Sequence, residues 1–179
     1  MDVLKRLKDG NEYYQKHNKL VGNYSYNIRK DRALNGQHPF AVVITCSDSR
    51  VVPEAIFNAS LGELFVIRVA GNVVGEYELS SVVYALDHLK TDTVLVLGHT
   101  NCGAIGAALS SHDAGLASPL VNKIRGVISA YKSEEEATKI NVLNTLKEVE
   151  HYIKSEPSLT NTKFYGAIYE IDSGRVNFL

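Results

Sequence analysis

The stretch FAVVITCSDSR, residues 40–50, decides the fold, because an apolar run from Phe40 to Thr45 gives way at once to polar, chemistry-bearing residues. A run apolar on both faces fits a strand covered from both sides, as parallel strands are, and Asn35-Gly36 with Pro39 predicts a turn before it. Two further runs repeat the design, LFVIRV at 64–69 and TVLVL at 93–97, the second ended by Gly98. Between them, Leu79, Val82, Val83, Leu86 and Leu89 follow helical spacing, which predicts a helix over 78–89. Small residues from Gly103 to Leu109 open another helix after a turn at 99–102, and a last strand runs over 164–171 before Gly174. Strands alternating with helices predict an α/β fold with a mainly parallel central β-sheet flanked by helices.

Working outward, residues 1–32 are polar and carry Val3, Leu4, Leu7, Tyr13 and Tyr14 at helical spacing, with Gly10 as a potential break. One or two N-terminal helices are expected there. Residues 110–118 read as a loop, and 121–131 and 137–154 as helices. No repeat or interdomain linker divides the chain, so residues 1–179 are read as a single domain.

Nineteen basic residues against twenty acidic ones give a formal charge of -1, which supplies no general attraction for nucleic acid or an anionic membrane surface. A small, nearly neutral partner fits better. The apolar runs are far shorter than the roughly 20 residues that span a bilayer, and MDVLKRLKDGNEYY lacks an apolar signal core. The expected location is cytoplasmic, where two cysteines point to thiolate chemistry before a disulfide.

Both cysteines and one of the six histidines stand just past predicted buried strands, in CSDSR (46–50) and HTNC (99–102). Open α/β sheets bind ligands at this carboxyl edge. Cys46, His99 and Cys102 suit zinc, and three protein ligands leave a fourth tetrahedral position open. From the pattern alone, zinc ligation and ordinary buried cysteines fit alike. A redox dithiol fits less well without a C-x-x-C, and a structural zinc site would fill all four positions.

CSDSR, GELFVIRVAGN (62–72) and GHTNCGA (98–104), in this order, resemble the signature motifs of the β-class carbonic anhydrases, and the ending YGAIYEIDSGRVNFL resembles that family's last strand. The resemblance implies the family's mainly parallel α/β sheet with an edge strand. It also implies one Zn2+ per chain on Cys46, His99 and Cys102, and reversible hydration of carbon dioxide to bicarbonate. The family's unit is a homodimer, often doubled to a homotetramer, in which an N-terminal helical arm embraces the partner; residues 1–32 have the length and place of such an arm. Val69 stands where many members have Asn, although Asn72 remains, and the chain has no tryptophan, which puts in doubt a regulatory bicarbonate site that uses one.

Zinc lowers the pKa of bound water from 15.7 to roughly 7 in a three-histidine carbonic anhydrase, the standard example of this effect. Two thiolates donate more charge, so a somewhat higher value and a pH-rate inflection above 7 are expected here. Asp48 and Arg50 follow Cys46 at two-residue steps and project to one side in an extended segment. Asp48 is expected to orient the nucleophile, with Arg50 holding it off the metal; released, Asp48 becomes a fourth ligand in a closed state. A loop-stabilising ion pair is the plainer alternative.

Gly103, at the start of a helix, offers an unpaired N–H to a bicarbonate oxygen and space for substrate; a turn requirement would explain it as well. Val66, Val69, Ala70 and Tyr84 read as core before pocket wall, and His88 and His112 as surface residues before proton shuttles. Two other functions use the same residues: hydrolysis of carbon disulfide or carbonyl sulfide, and a non-catalytic zinc or thiol sensor.

Overall fold

The computed structural model describes every residue except Met1, Asn18, Ser111, His112 and Lys132. Five strands form one sheet in the order β2-β1-β3-β4-β5, with β1 at Ala41–Thr45, β2 at Leu64–Arg68, β3 at Thr93–His99, β4 at Lys163–Tyr169 and β5 at Val176–Phe178. The first four are mutually parallel, and β5 runs antiparallel along β4, pairing Ile168 with Asn177. The α/β expectation therefore holds, and the 164–171 stretch corresponds to β4 followed by a turn into a separate edge strand.

Every residue of β1 and β3 is buried, as unbroken apolar runs require. Successive side chains feed opposite faces. Ala41, Val43, Leu95 and Leu97 pack with Leu7 of α1 (Val3–Lys16) and Ile56 of α3 (Pro53–Ile56). Val42, Ile44, Val94 and Val96 pack with Val82 and Leu86 of α4 (Glu76–Asp87) and with Val142 and Val149 of α7 (Glu134–Lys154). A third cluster, at the carboxyl edge, joins Cys46 and Cys102 to Ile105 of α5 (Gly103–Leu109) and Ile124 of α6 (Ser118–Ile128). Among the described residues, no helix is long and apolar enough to cross a membrane.

Gly10 does not break α1. A Cβ at that position would lie 2.0 Å from the Phe57 carbonyl oxygen, so the glycine lets the helix approach the loop after α3. The next residue, buried Asn11, donates to the carbonyls of Gly174 (2.8 Å) and Ile56 (3.3 Å), while its Oδ1 accepts the Val176 N–H at 2.9 Å. The first half of residues 1–32 thus packs on its own chain. The second half differs: α2 (Tyr26–Asn35) buries none of its residues.

Asn11→Ala strands two carbonyls and an N–H in the core. Each unpaired buried group costs about 1–3 kcal/mol, so a loss of about 3 kcal/mol is expected in urea unfolding after partial relaxation. A change below about 0.5 kcal/mol, the range of ordinary surface substitutions, would show that water replaces these bonds.

Candidate metal centre

In the order β2-β1-β3 the chain leaves β1 for the strand on one side and then crosses back to the strand on the other, so the β1/β3 seam is a topological switch point, and crevices at such points receive ligands. Cys46 follows β1, and His99 ends β3. The chain then turns through Thr100 and Asn101, the latter in the left-handed region at φ 54°, and Cys102 becomes the N-cap of α5. This places Cys46, His99 and Cys102, all buried, with their ligand atoms within 4.8 Å of one another.

The electrostatics fit a cation. His99 Nδ1 lies 2.9 Å from the Thr100 carbonyl, which makes Nδ1 the protonated nitrogen, while buried Nε2 has no hydrogen-bond partner. A fully buried imidazole with an unused lone pair beside two sulfurs is a ligand set in form. Cys46 Sγ accepts N–H bonds from Gly71 at 3.2 Å and Asp48 at 3.4 Å. The neighbouring Cys102 thiol, then His99 and these backbone donors, hold the Cys46 thiol below its ordinary range against burial. Cys102 is pushed the opposite way by its bond to Cys46 and by burial. Two thiols and an imidazole, one sulfur already inclined to ionise, match the borderline-soft chemistry of zinc.

Asp48 stands at the mouth of this cluster, with Oδ2 4.0 Å from His99 Nε2. Arg50 grips it with both forks: Nε reaches Oδ1 at 3.0 Å, Nη2 reaches Oδ2 at 2.7 Å, and the Arg50 backbone N–H adds a third bond at 2.9 Å. The Arg50 side-chain bonds hold the Asp48 carboxyl well below the usual carboxylate range despite its partial burial. The five residues Cys46, Asp48, Arg50, His99 and Cys102 are therefore brought together.

Gly103 is the first residue of α5. Its backbone is not left-handed, and an added Cβ would meet no atom within 4 Å, so neither the turn nor the packing demands glycine there. Val69 packs against the cluster that holds Cys46 and Cys102, and Val66 against the α1 side of the sheet. Tyr84 is 46% exposed and stacks on His88, which caps α4 at the surface, apart from the cluster. His112 lies outside the described residues.

Two residues of this region escaped the sequence reading. Arg68 closes β2 and clamps the CSDSR backbone, donating from Nε to the Cys46 carbonyl (3.1 Å) and from Nη2 to the Asp48 carbonyl (2.6 Å). A charge ending the apolar run LFVIR was the available signal. Glu134 in the first turn of α7 accepts the Cys102 N–H at 3.0 Å, a contact across 32 residues that no local pattern announces.

A family model described as carbonic anhydrase matches residues 41–176, which hold all of these groups. A carbonic anhydrase of Mycolicibacterium smegmatis is 43% identical over 112 residues, 62% of this chain and 53% of that protein. The chain spans about half the length of the curated relatives it matches first. Among solved structures, the Coccomyxa β-carbonic anhydrase in complex with acetazolamide superposes with a TM-score of 0.77 at 29% identity, covering 86% of this chain and 78% of that one. Tetrameric β-carbonic anhydrases from Sordaria macrospora give 0.70 at 26%, covering 86% and 87%. With the family model spanning the sheet from β1 to the first residue of β5 and the same fold recurring in these structures, the chain belongs to the β-carbonic anhydrase family.

Proposed function

We propose that the protein is a zinc-dependent carbonic anhydrase that hydrates carbon dioxide reversibly to bicarbonate and a proton, with one Zn2+ held by Cys46, His99 and Cys102. One observation carries this reading: three buried ligand atoms within 4.8 Å, one an unpartnered imidazole nitrogen, beside a carboxylate locked by an arginine. When bound, zinc supplies the Lewis acidity that makes water a nucleophile near neutral pH.

The chain's own residues set the geometry. Asp48, kept ionised by Arg50, accepts a hydrogen bond from the attacking water and so aims its lone pair at the carbon of carbon dioxide. The bidentate hold also fixes the carboxylate at the mouth of the cluster, with Oδ2 4.0 Å from His99 Nε2, so that it would not itself take a coordination position. Gly103 leaves space beside Cys102, and its N–H, among those a helix start leaves without an internal partner, faces a developing bicarbonate oxygen.

Gly103→Ala separates substrate space from fold. Alanine suits a helix better, so stability is expected to hold or rise by up to about 1 kcal/mol. The hydration kcat/KM is expected to fall about tenfold or more, the effect of one misplaced methyl group. Unchanged kinetics would remove Gly103 from the substrate pocket.

The direct test is stopped-flow carbon dioxide hydration between pH 6.5 and 9 on protein with one zinc per chain. Hydration rising with pH supports the reading. No rate above buffer with zinc confirmed would overturn it in favour of sulfur-containing linear substrates or a sensor role.

The same proposal includes a homodimer or homotetramer. Support comes from α2 and its approach, where Val21 (58%), Tyr26 (67%) and Leu34 (74%) are exposed apolar residues available to pack on a second chain. A reducing, cytoplasmic location suits two close thiols that an oxidising compartment would join.

A further inference from the structure

The Asn101–Cys102 peptide group is held at both ends by charged side chains. Its carbonyl accepts from Arg50 Nη2 at 3.1 Å, and its N–H donates to Glu134 Oε1 at 3.0 Å. Asn101 sits in the left-handed region, which asparagine tolerates better than most non-glycine residues, and the turn it makes carries the chain from β3 into Cys102. Cys102 is 3% exposed and caps the start of α5, and Glu134 is the acceptor of its N–H.

We propose that Glu134 is a positioning residue for the metal centre: it fixes the peptide that carries Cys102 and, through that peptide's carbonyl, the Arg50 guanidinium that grips Asp48. The relay runs Asp48, Arg50, the 101–102 peptide, Glu134, with a charge-assisted bond at each junction. It ties the first turn of α7 to both the ligand set and the Asp48–Arg50 pair. Groups that orient a ligand from behind it in this way alter metal affinity or activity by roughly 10–100-fold. The proposal rests on Cys102 being a zinc ligand.

A purely helix-stabilising role competes with it, because acidic residues favour a helix's first turn whatever they touch, and Glu135 and Glu136 stand beside Glu134. Two substitutions in the full chain separate these roles. Glu134→Asp keeps the charge at the helix start but draws the carboxylate back by one methylene, out of reach of Cys102. Glu134→Gln removes the charge but keeps an acceptor at the same reach.

Cobalt(II) serves as the probe, read by competition affinity and by the thiolate-to-cobalt charge-transfer absorption. Glu134→Asp is expected to bind cobalt about 10–100-fold more weakly with altered absorption, while Glu134→Gln stays within roughly threefold of the unsubstituted protein. Unsubstituted affinity and spectrum in Glu134→Asp, whatever its melting temperature, would overturn the proposal, as would Glu134→Gln failing to the same degree as Glu134→Asp. Should the unsubstituted chain itself bind no cobalt, the metal-centre reading fails first and the proposal falls with it.

Discussion

Asp48→Ala is expected to lower kcat/KM for carbon dioxide hydration by about 10²–10⁴-fold, the usual range for removing a proton-accepting group positioned at the reacting atoms, while leaving one metal ion per chain. The carboxylate is not among the three clustered ligand atoms, and each of its oxygens is held by Arg50. Its removal therefore leaves the ligand set intact. Arg50→Ala is expected to abolish turnover for a different reason. Only the backbone N–H at 2.9 Å then restrains Asp48, whose Oδ2 already lies 4.0 Å from His99 Nε2, so the freed carboxylate would reach a metal held by the three ligands and close the site. Azide added to the cobalt-loaded proteins distinguishes the two: the absorption shifts in Asp48→Ala and stays unchanged in Arg50→Ala. A shift of equal size in both would mean that Arg50 does not keep the carboxylate away. If Asp48→Ala hydrates carbon dioxide at the unsubstituted rate, the pair is a loop-stabilising ion pair and nothing more.

Much of this centre is legible in the sequence because its parts are local. Cys46 and His99 directly end or follow unbroken apolar runs, and such runs in alternation with helices place their carboxyl ends on one edge. Asp48 and Arg50 could be paired for the same reason, being two residues apart in a short loop. What was not legible depends on approach between distant segments. Glu134 gives no sign because its partner is a backbone N–H in another element, and the first turn of α7 precedes the expected start at 137 because its cap Ser133 and the glutamates that follow add no apolar periodicity. Gly10 misled for a related reason: a glycine that admits a neighbouring carbonyl looks, in sequence, like one that ends a helix. The turn that separates β4 from β5 likewise becomes visible only when Val176 pairs back on Tyr169.

Cys46→Ser is expected to reduce hydration to the uncatalysed rate and to remove stoichiometric zinc after dialysis. Serine is the informative replacement because Cys46 has two duties. Its sulfur accepts the Gly71 and Asp48 N–H groups, which hold the loop, and a hydroxyl oxygen can accept the same bonds. What a neutral hydroxyl does not reproduce is the soft, anionic donor that two-thiolate zinc sites rely on. The fold should therefore survive while the site fails. His99→Ala would be a poorer test, since a fully buried ring leaves a cavity and frees the Thr100 carbonyl, mixing lost stability with lost binding. Thermal unfolding supplies a second readout. A ligand that binds only the folded state stabilises it by about 4.1 kcal/mol at a thousandfold excess over Kd, so zinc should raise the Tm of the stripped unsubstituted protein by several degrees and leave that of Cys46→Ser unmoved. An equal zinc-dependent rise in both would place the bound metal elsewhere on the chain. Loss of the rise together with loss of hydration ties catalysis to the three residues at the β1/β3 seam.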